Sequence, residues 1–79
     1  MNNQPHFTAR RVWFDEERIF VELNDGRIVG SPLHWFPLLD KATPQQRNHY
    51  ELVGDGYAIR WDELNEDLSA NGFLTYSRP

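Results

Sequence analysis

Cysteine is absent from the 79 residues, which excludes a disulfide framework and thiolate-ligated metal, and fits a reducing compartment. No apolar run approaches the ~20 residues needed to cross a bilayer, and Met1 to His6 lacks the basic and apolar regions of a signal peptide. A soluble, cytoplasmic chain with no membrane partner is the expectation. Basic side chains are also scarce. Eight Lys plus Arg stand against twelve Asp plus Glu, a net charge of −4, which argues against direct nucleic-acid binding, because phosphate-backbone affinity comes from basic neutralisation. Histidine occurs only at positions 6, 34 and 49, without the H-E-x-x-H spacing of a metal pair. Gly54-Asp55-Gly56 lacks the spacing and the lysine of a phosphate loop. No catalytic, cofactor-binding or metal-binding residue is therefore assigned, and no cofactor is expected.

Aromatic side chains are what the chain has in quantity: three Trp, five Phe and three Tyr. A chain this short buries only roughly 60% of its unfolded surface, so large side chains must supply the core. Asp25-Gly26 is a strong hairpin signal, since glycine enters positive φ without a Cβ clash. It separates a run from Arg18 to Leu23 from one at Arg27 to Gly30. In the first of these, Ile19, Val21 and Leu23 alternate with Arg18, Phe20 and Glu22, the period of a half-buried strand. A β-like run from Phe7 to Phe14 precedes them, with Val12 and Phe14 on one face and Arg11 and Trp13 on the other. Asp15-Glu16-Glu17 is the turn between, and a three-stranded antiparallel meander follows.

Ser31-Pro32 reads as a helix start, with the serine capping and Pro32 at the first helical position. Pro37 then limits residues 32 to 41 to a short or broken helix, with Trp35 and Phe36 anchoring the core. Thr43-Pro44-Gln45-Gln46 has the capping-box pattern, and a helix of about two turns, Pro44 to Tyr50, is expected. Glu51 to Val53 and Tyr57 to Trp61, joined by Gly54-Asp55-Gly56, read as a second hairpin that adds strands to the same sheet. Asp62 to Leu68 reads as a loop or one helical turn that buries Leu64 and Leu68 and leaves Asp62, Glu63, Glu66 and Asp67 as an acidic ledge. Asp67 is placed as a cap for the turn at Ser69 to Asn71, and Arg47 and Arg60 as ion-pair partners of the ledge. Phe73 and Leu74 close the core. The fold class is a single α+β domain over residues 7–75, an antiparallel meander plus a second hairpin covered by two or three short helices. Residues 1–6 are expected to be loose and 76–79 to form a tail.

The ordered set Asp25-Gly26-Arg27, Pro32-Leu33, Trp35-Phe36-Pro37, Ala42-Thr43-Pro44 with Arg47, Gly54-Asp55-Gly56, Ile59, Trp61 and Asn65-Glu66-Asp67-Leu68-Ser69 resembles the bacterial domain of unknown function 2442 family. The match spans roughly residues 9–74. Leu38, where the family usually has arginine, and Asn65, where it usually has aspartate, depart from the pattern. The resemblance implies a compact α+β domain of bacterial or phage origin, often found beside a second small protein in an arrangement like a toxin–antitoxin pair. Some relatives carry a helix-turn-helix domain, which has no counterpart here.

Trp13, Phe20 and Tyr57 are candidates for an exposed aromatic contact patch, and Glu63, Glu66 and Asp67 for steering a basic partner. Asp25, Gly26, Pro32, Trp35, Phe36, Pro37, Arg47 and Trp61 are assigned to structure. The expected function is a non-enzymatic protein-interaction module, an antitoxin-like partner of a small, possibly toxin-like neighbour, with homodimerisation through a sheet edge also open. The alternatives are a phage-encoded inhibitor or acidic nucleic-acid mimic, and a small enzyme with a site built from histidine and carboxylate.

Overall fold

In the computed structural model, which describes residues 7–75, the Asp25-Gly26 turn sets the register of the first sheet. Gly26 N–H donates to Leu23 O at 2.9 Å and Leu23 N–H to Arg27 O at 2.8 Å. Gly26 takes φ 91°, the positive value that a three-residue hairpin loop needs at its last position. The turn joins β2 (Arg18–Leu23) to β3 (Ile28–Pro32), and β1 (Ala9–Phe14) pairs with β2 on the other side. Both pairings are antiparallel. Asp15 closes the β1–β2 turn, its Oδ1 accepting from the N–H groups of Glu17 and Arg18, each at 2.8 Å. Those donors favour the carboxylate and hold its pKa below the usual value, Glu17 contributing most and Arg18 next.

The inner face of this sheet carries Val12, Ile19, Val21 and Leu23, all buried. Ser31 is buried there too, opposite Ile19, and does not cap a helix. The ladder continues past it because Leu33 N–H donates to Glu17 O at 2.8 Å. Pro32 is therefore the last strand residue. A 3₁₀ turn at Leu33–Trp35 and α1 (Pro37–Asp40) follow, broken at Phe36 as Pro37 requires. Phe36 is buried and Trp35 half-buried against the same core.

The helix α2 (Pro44–Arg47) opens with the full capping box: Gln46 N–H donates to Thr43 Oγ1 at 3.1 Å, and Thr43 N–H to Gln46 Oε1 at 2.9 Å. It stops at Arg47 instead of running to Tyr50. Two tertiary bonds claim the chain there. Trp61 Nε1–H donates to Arg47 O at 2.9 Å, and Tyr50 Oη accepts from Val12 N–H at 3.2 Å.

The second hairpin does not extend the first sheet. β4 (Glu51–Val53), β5 (Ala58–Trp61) and β6 (Glu66–Ser69) form a separate three-stranded antiparallel sheet. Point contacts join the two. Ala9 N–H donates to Gly56 O at 2.7 Å, where Gly56 has φ 91° and a Cβ would collide with the Ala9 backbone. The loop or single helical turn expected at 62–68 is instead a 3₁₀ turn, Asp62–Leu64, ended by Asn65 at φ 57°, and then β6. Asparagine tolerates this left-handed conformation, and it turns the chain back so that Leu68 lies opposite Ile59. Leu64 and Leu68 are both half-buried, one from the turn and one from the strand.

Ser69 Oγ accepts from Gly72 N–H at 2.9 Å and starts α3 (Ala70–Thr75), the role expected of Asp67. Phe73 in α3 stacks on Phe36 with ring centroids 5.8 Å apart. Trp61, fully buried, meets Phe14 edge-on at 6.4 Å and Tyr50 at 6.5 Å, so the core runs between the sheets. Thr75 belongs to α3; the expected loose N-terminus with His6 and the tail from residue 76 lie outside the described residues.

Candidate functional site

The pleat that buries Ile19, Val21 and Leu23 sends their neighbours to the opposite face. There Trp13 of β1 and Phe20 of β2 are directly paired, and their rings stack at 5.7 Å with planes 16° apart. Phe20 pairs on its other side with Gly30 of β3, where a Cβ would lie 2.8 Å from the Phe20 ring. Glycine thus lets the ring lie flat across the third strand. Both aromatics are half-buried, and Ile28 beside them is 54% exposed.

Arginines frame this row. The Arg11 guanidinium sits 4.6 Å from the Trp13 ring centroid, and its Nε donates to Glu22 Oε1 at 2.8 Å. Arg10 reaches the same carboxylate at 3.6 Å. Arg18 lies exposed on the same face of β2, two residues from Phe20. Arg10 and Arg11 against the single carboxylate of Glu22 leave the β1 side of the row positive, while Arg18 is offset by Asp15 at the β1–β2 turn. A cation above an aromatic ring is attracted to its face and helps to hold its orientation.

Tyr57 is exposed at 54% but lies beside the β4–β5 turn, in the second hairpin. It is not part of the Trp13–Phe20 row. The acidic ledge is partly engaged internally: Asp67 pairs with Arg60 at 3.3 Å, and Glu63 Oε2 accepts from Gln46 Nε2 at 3.0 Å. Glu66 Oε1 accepts from Asp67 N–H at 3.2 Å. Arg47 does not pair with the ledge. Its Nε and Nη2 donate to the carbonyls of Leu39 and Asp40, each at 2.8 Å, which ties α2 to α1.

The histidines occupy open clefts. His34 lines one of about 410 Å³ with Glu16, Glu17, Arg18 and Asp40, and His49 one of about 250 Å³ with Glu51, Asp62 and Glu63. Both histidines are exposed. Among the described residues, no group of three or more His, Asp or Glu side chains is placed to hold a metal ion. No helix of the described residues is long and apolar enough to cross a membrane.

The family described as "Protein of unknown function (DUF2442)" matches residues 9–79. The chain belongs to the DUF2442 family. Two solved structures share the fold of this DUF2442 chain. A crystal structure of a protein of unknown function from Rhodospirillum rubrum is 26% identical with a TM-score of 0.78, covering 95% of this chain and 93% of its own. A solution structure of an uncharacterized protein from Chromobacterium violaceum is 27% identical with a TM-score of 0.73, covering 91% and 68%. No curated protein is similar enough to count as a relative.

Gly30, Ile28 and the arginine frame escape a reading of the DUF2442 sequence as separate strands. The signal that finds them is the Asp25-Gly26 turn: counting outward from it places Gly30 opposite Phe20 and Ile28 opposite Glu22.

Proposed function

We propose that this DUF2442 chain is a non-enzymatic protein-interaction module, antitoxin-like in binding a small neighbouring protein through the outer face of its first sheet. The observation that carries the reading is the half-exposed Trp13–Phe20 stack on the face turned away from the core. Aromatic residues and arginine dominate interface hot spots, and both are concentrated here. The positive edge made by Arg10 and Arg11 favours a partner with an apolar patch bordered by carboxylates. An acidic mimic of nucleic acid draws less support, because Asp67 and Glu63 already have partners within the chain.

The test is affinity co-purification of the tagged protein from its native host after nuclease treatment, with Trp13→Ala and Arg60→Ala in parallel. A stoichiometric protein retained by wild type and Arg60→Ala and lost from Trp13→Ala is the expected result. Equal retention by Trp13→Ala, or recovery of nothing above background, overturns the proposal.

A further inference from the structure

We infer that the outer edge of β3 pairs with the same edge of a second copy, antiparallel and centred on Val29, to join two first sheets into one continuous sheet. The inference rests on strand register and is independent of the partner reading above. Antiparallel neighbours alternate between positions that exchange hydrogen bonds and positions that do not. The bonds Leu23 N–H to Arg27 O and Leu33 N–H to Glu17 O bracket the β2–β3 ladder and fix which positions are which. Val29 and Ser31 face β2, so Ile28 and Gly30 direct their N–H and C=O groups away from it. β3 is the outer strand, and no hydrogen bond from another element reaches Ile28 or Gly30 among the described residues. The far edge of the sheet differs: on β1, Ala9 and Val12 already donate to Gly56 O and Tyr50 Oη.

The free groups are self-complementary. A two-fold axis at Val29 brings Ile28 of each copy opposite Gly30 of the other, and each N–H meets a C=O. The side chains agree with the backbone. The Phe20 ring fills the space a Cβ would take at Gly30, and Ile28 of the second copy packs against that ring, covering a side chain that is 54% exposed in the single chain. The Trp13–Phe20 row of one copy is thereby extended by Ile28 of the other. Arg27 falls opposite Ser31, so no like charges meet.

Edge strands that stay single are usually guarded by a charge, a bulge or an early proline. Residues 28 to 31 of β3 have none of these, with Pro32 only at the end, whereas β4 and β6 carry Glu51, Glu66 and Asp67. One strand pair covers less than the about 800 Å² per partner of a standard interface, so the association is concentration-dependent.

Sedimentation equilibrium from about 5 to about 500 µM, a range that brackets weak association, tests it together with amide hydrogen exchange at both ends. The average mass should rise from 9.4 kDa towards twice that value. The Ile28 and Gly30 amides should exchange at least tenfold more slowly at the high concentration, while those of Val29 and Ser31 are protected at both. Ile28→Lys should stay folded and monomeric throughout. A constant monomer mass overturns the inference, as does a dimer that leaves Ile28 and Gly30 exchange unchanged or that persists in Ile28→Lys.

Discussion

The first sheet has strands of five and six residues and separates its two faces, one buried in the core and one left to solvent with an aromatic row. The second has strands of three and four residues, and what fixes it is Trp61 and Ile59, both fully buried against the first sheet. Long alternation thus specifies a sheet locally, through the pleat. Short strands gain their place from what they pack upon.

This asymmetry is open to mutation. Trp61→Ala removes the largest shared core side chain and leaves the Arg47 carbonyl without its donor. It should lower stability by about 4 kcal/mol in urea denaturation, with β4 to β6 losing amide protection. Gly56→Ala attacks the joint between the sheets, since the position needs positive φ and a Cβ would strike Ala9. A loss of about 3 kcal/mol is expected, and an unchanged urea midpoint would show that the joint is not needed. Thr43→Ala deletes the capping-box hydroxyl of α2 and should cost about 1 kcal/mol by thermal melting.

The smallest effect belongs to Asp15. Its folded pKa lies below its unfolded value, so its stabilising contribution is present above the unfolded pKa and is lost as pH falls through the folded pKa. The gap between wild type and Asp15→Asn in urea midpoint should therefore narrow on acidification; a gap that is constant with pH would exclude the charge as its source.

Much of the first sheet is legible in the sequence, because Ile19, Val21 and Leu23 state the inner face and Asp25-Gly26 states the turn. Thr43 and Gln46 state the α2 cap in the same local way. The acidic run from Asp62 to Asp67 does not state its strand, since its pairing depends on Asn65 turning left-handed and on Ile59 being opposite Leu68. Arg47 resembles an ion-pair partner by charge alone, yet two carbonyls at the end of α1 need donors and it supplies them. Tyr57 looks like a third member of the aromatic patch until the sheets separate. In the candidate site, Trp13 and Phe20 are visible from alternation, while Gly30 and Ile28 emerge only with the register.

The proposed contact role requires the outer-face aromatics to be surplus to the fold. The direct measurement is urea denaturation of Trp13→Ala beside Trp61→Ala, the same substitution made on the outer face and in the shared core. Trp13→Ala should cost about 1.5 kcal/mol or less, the value of a half-exposed aromatic pair, against about 4 kcal/mol for Trp61→Ala. Equal losses would contradict that role, because the Trp13–Phe20 stack would then be accounted for by stability alone.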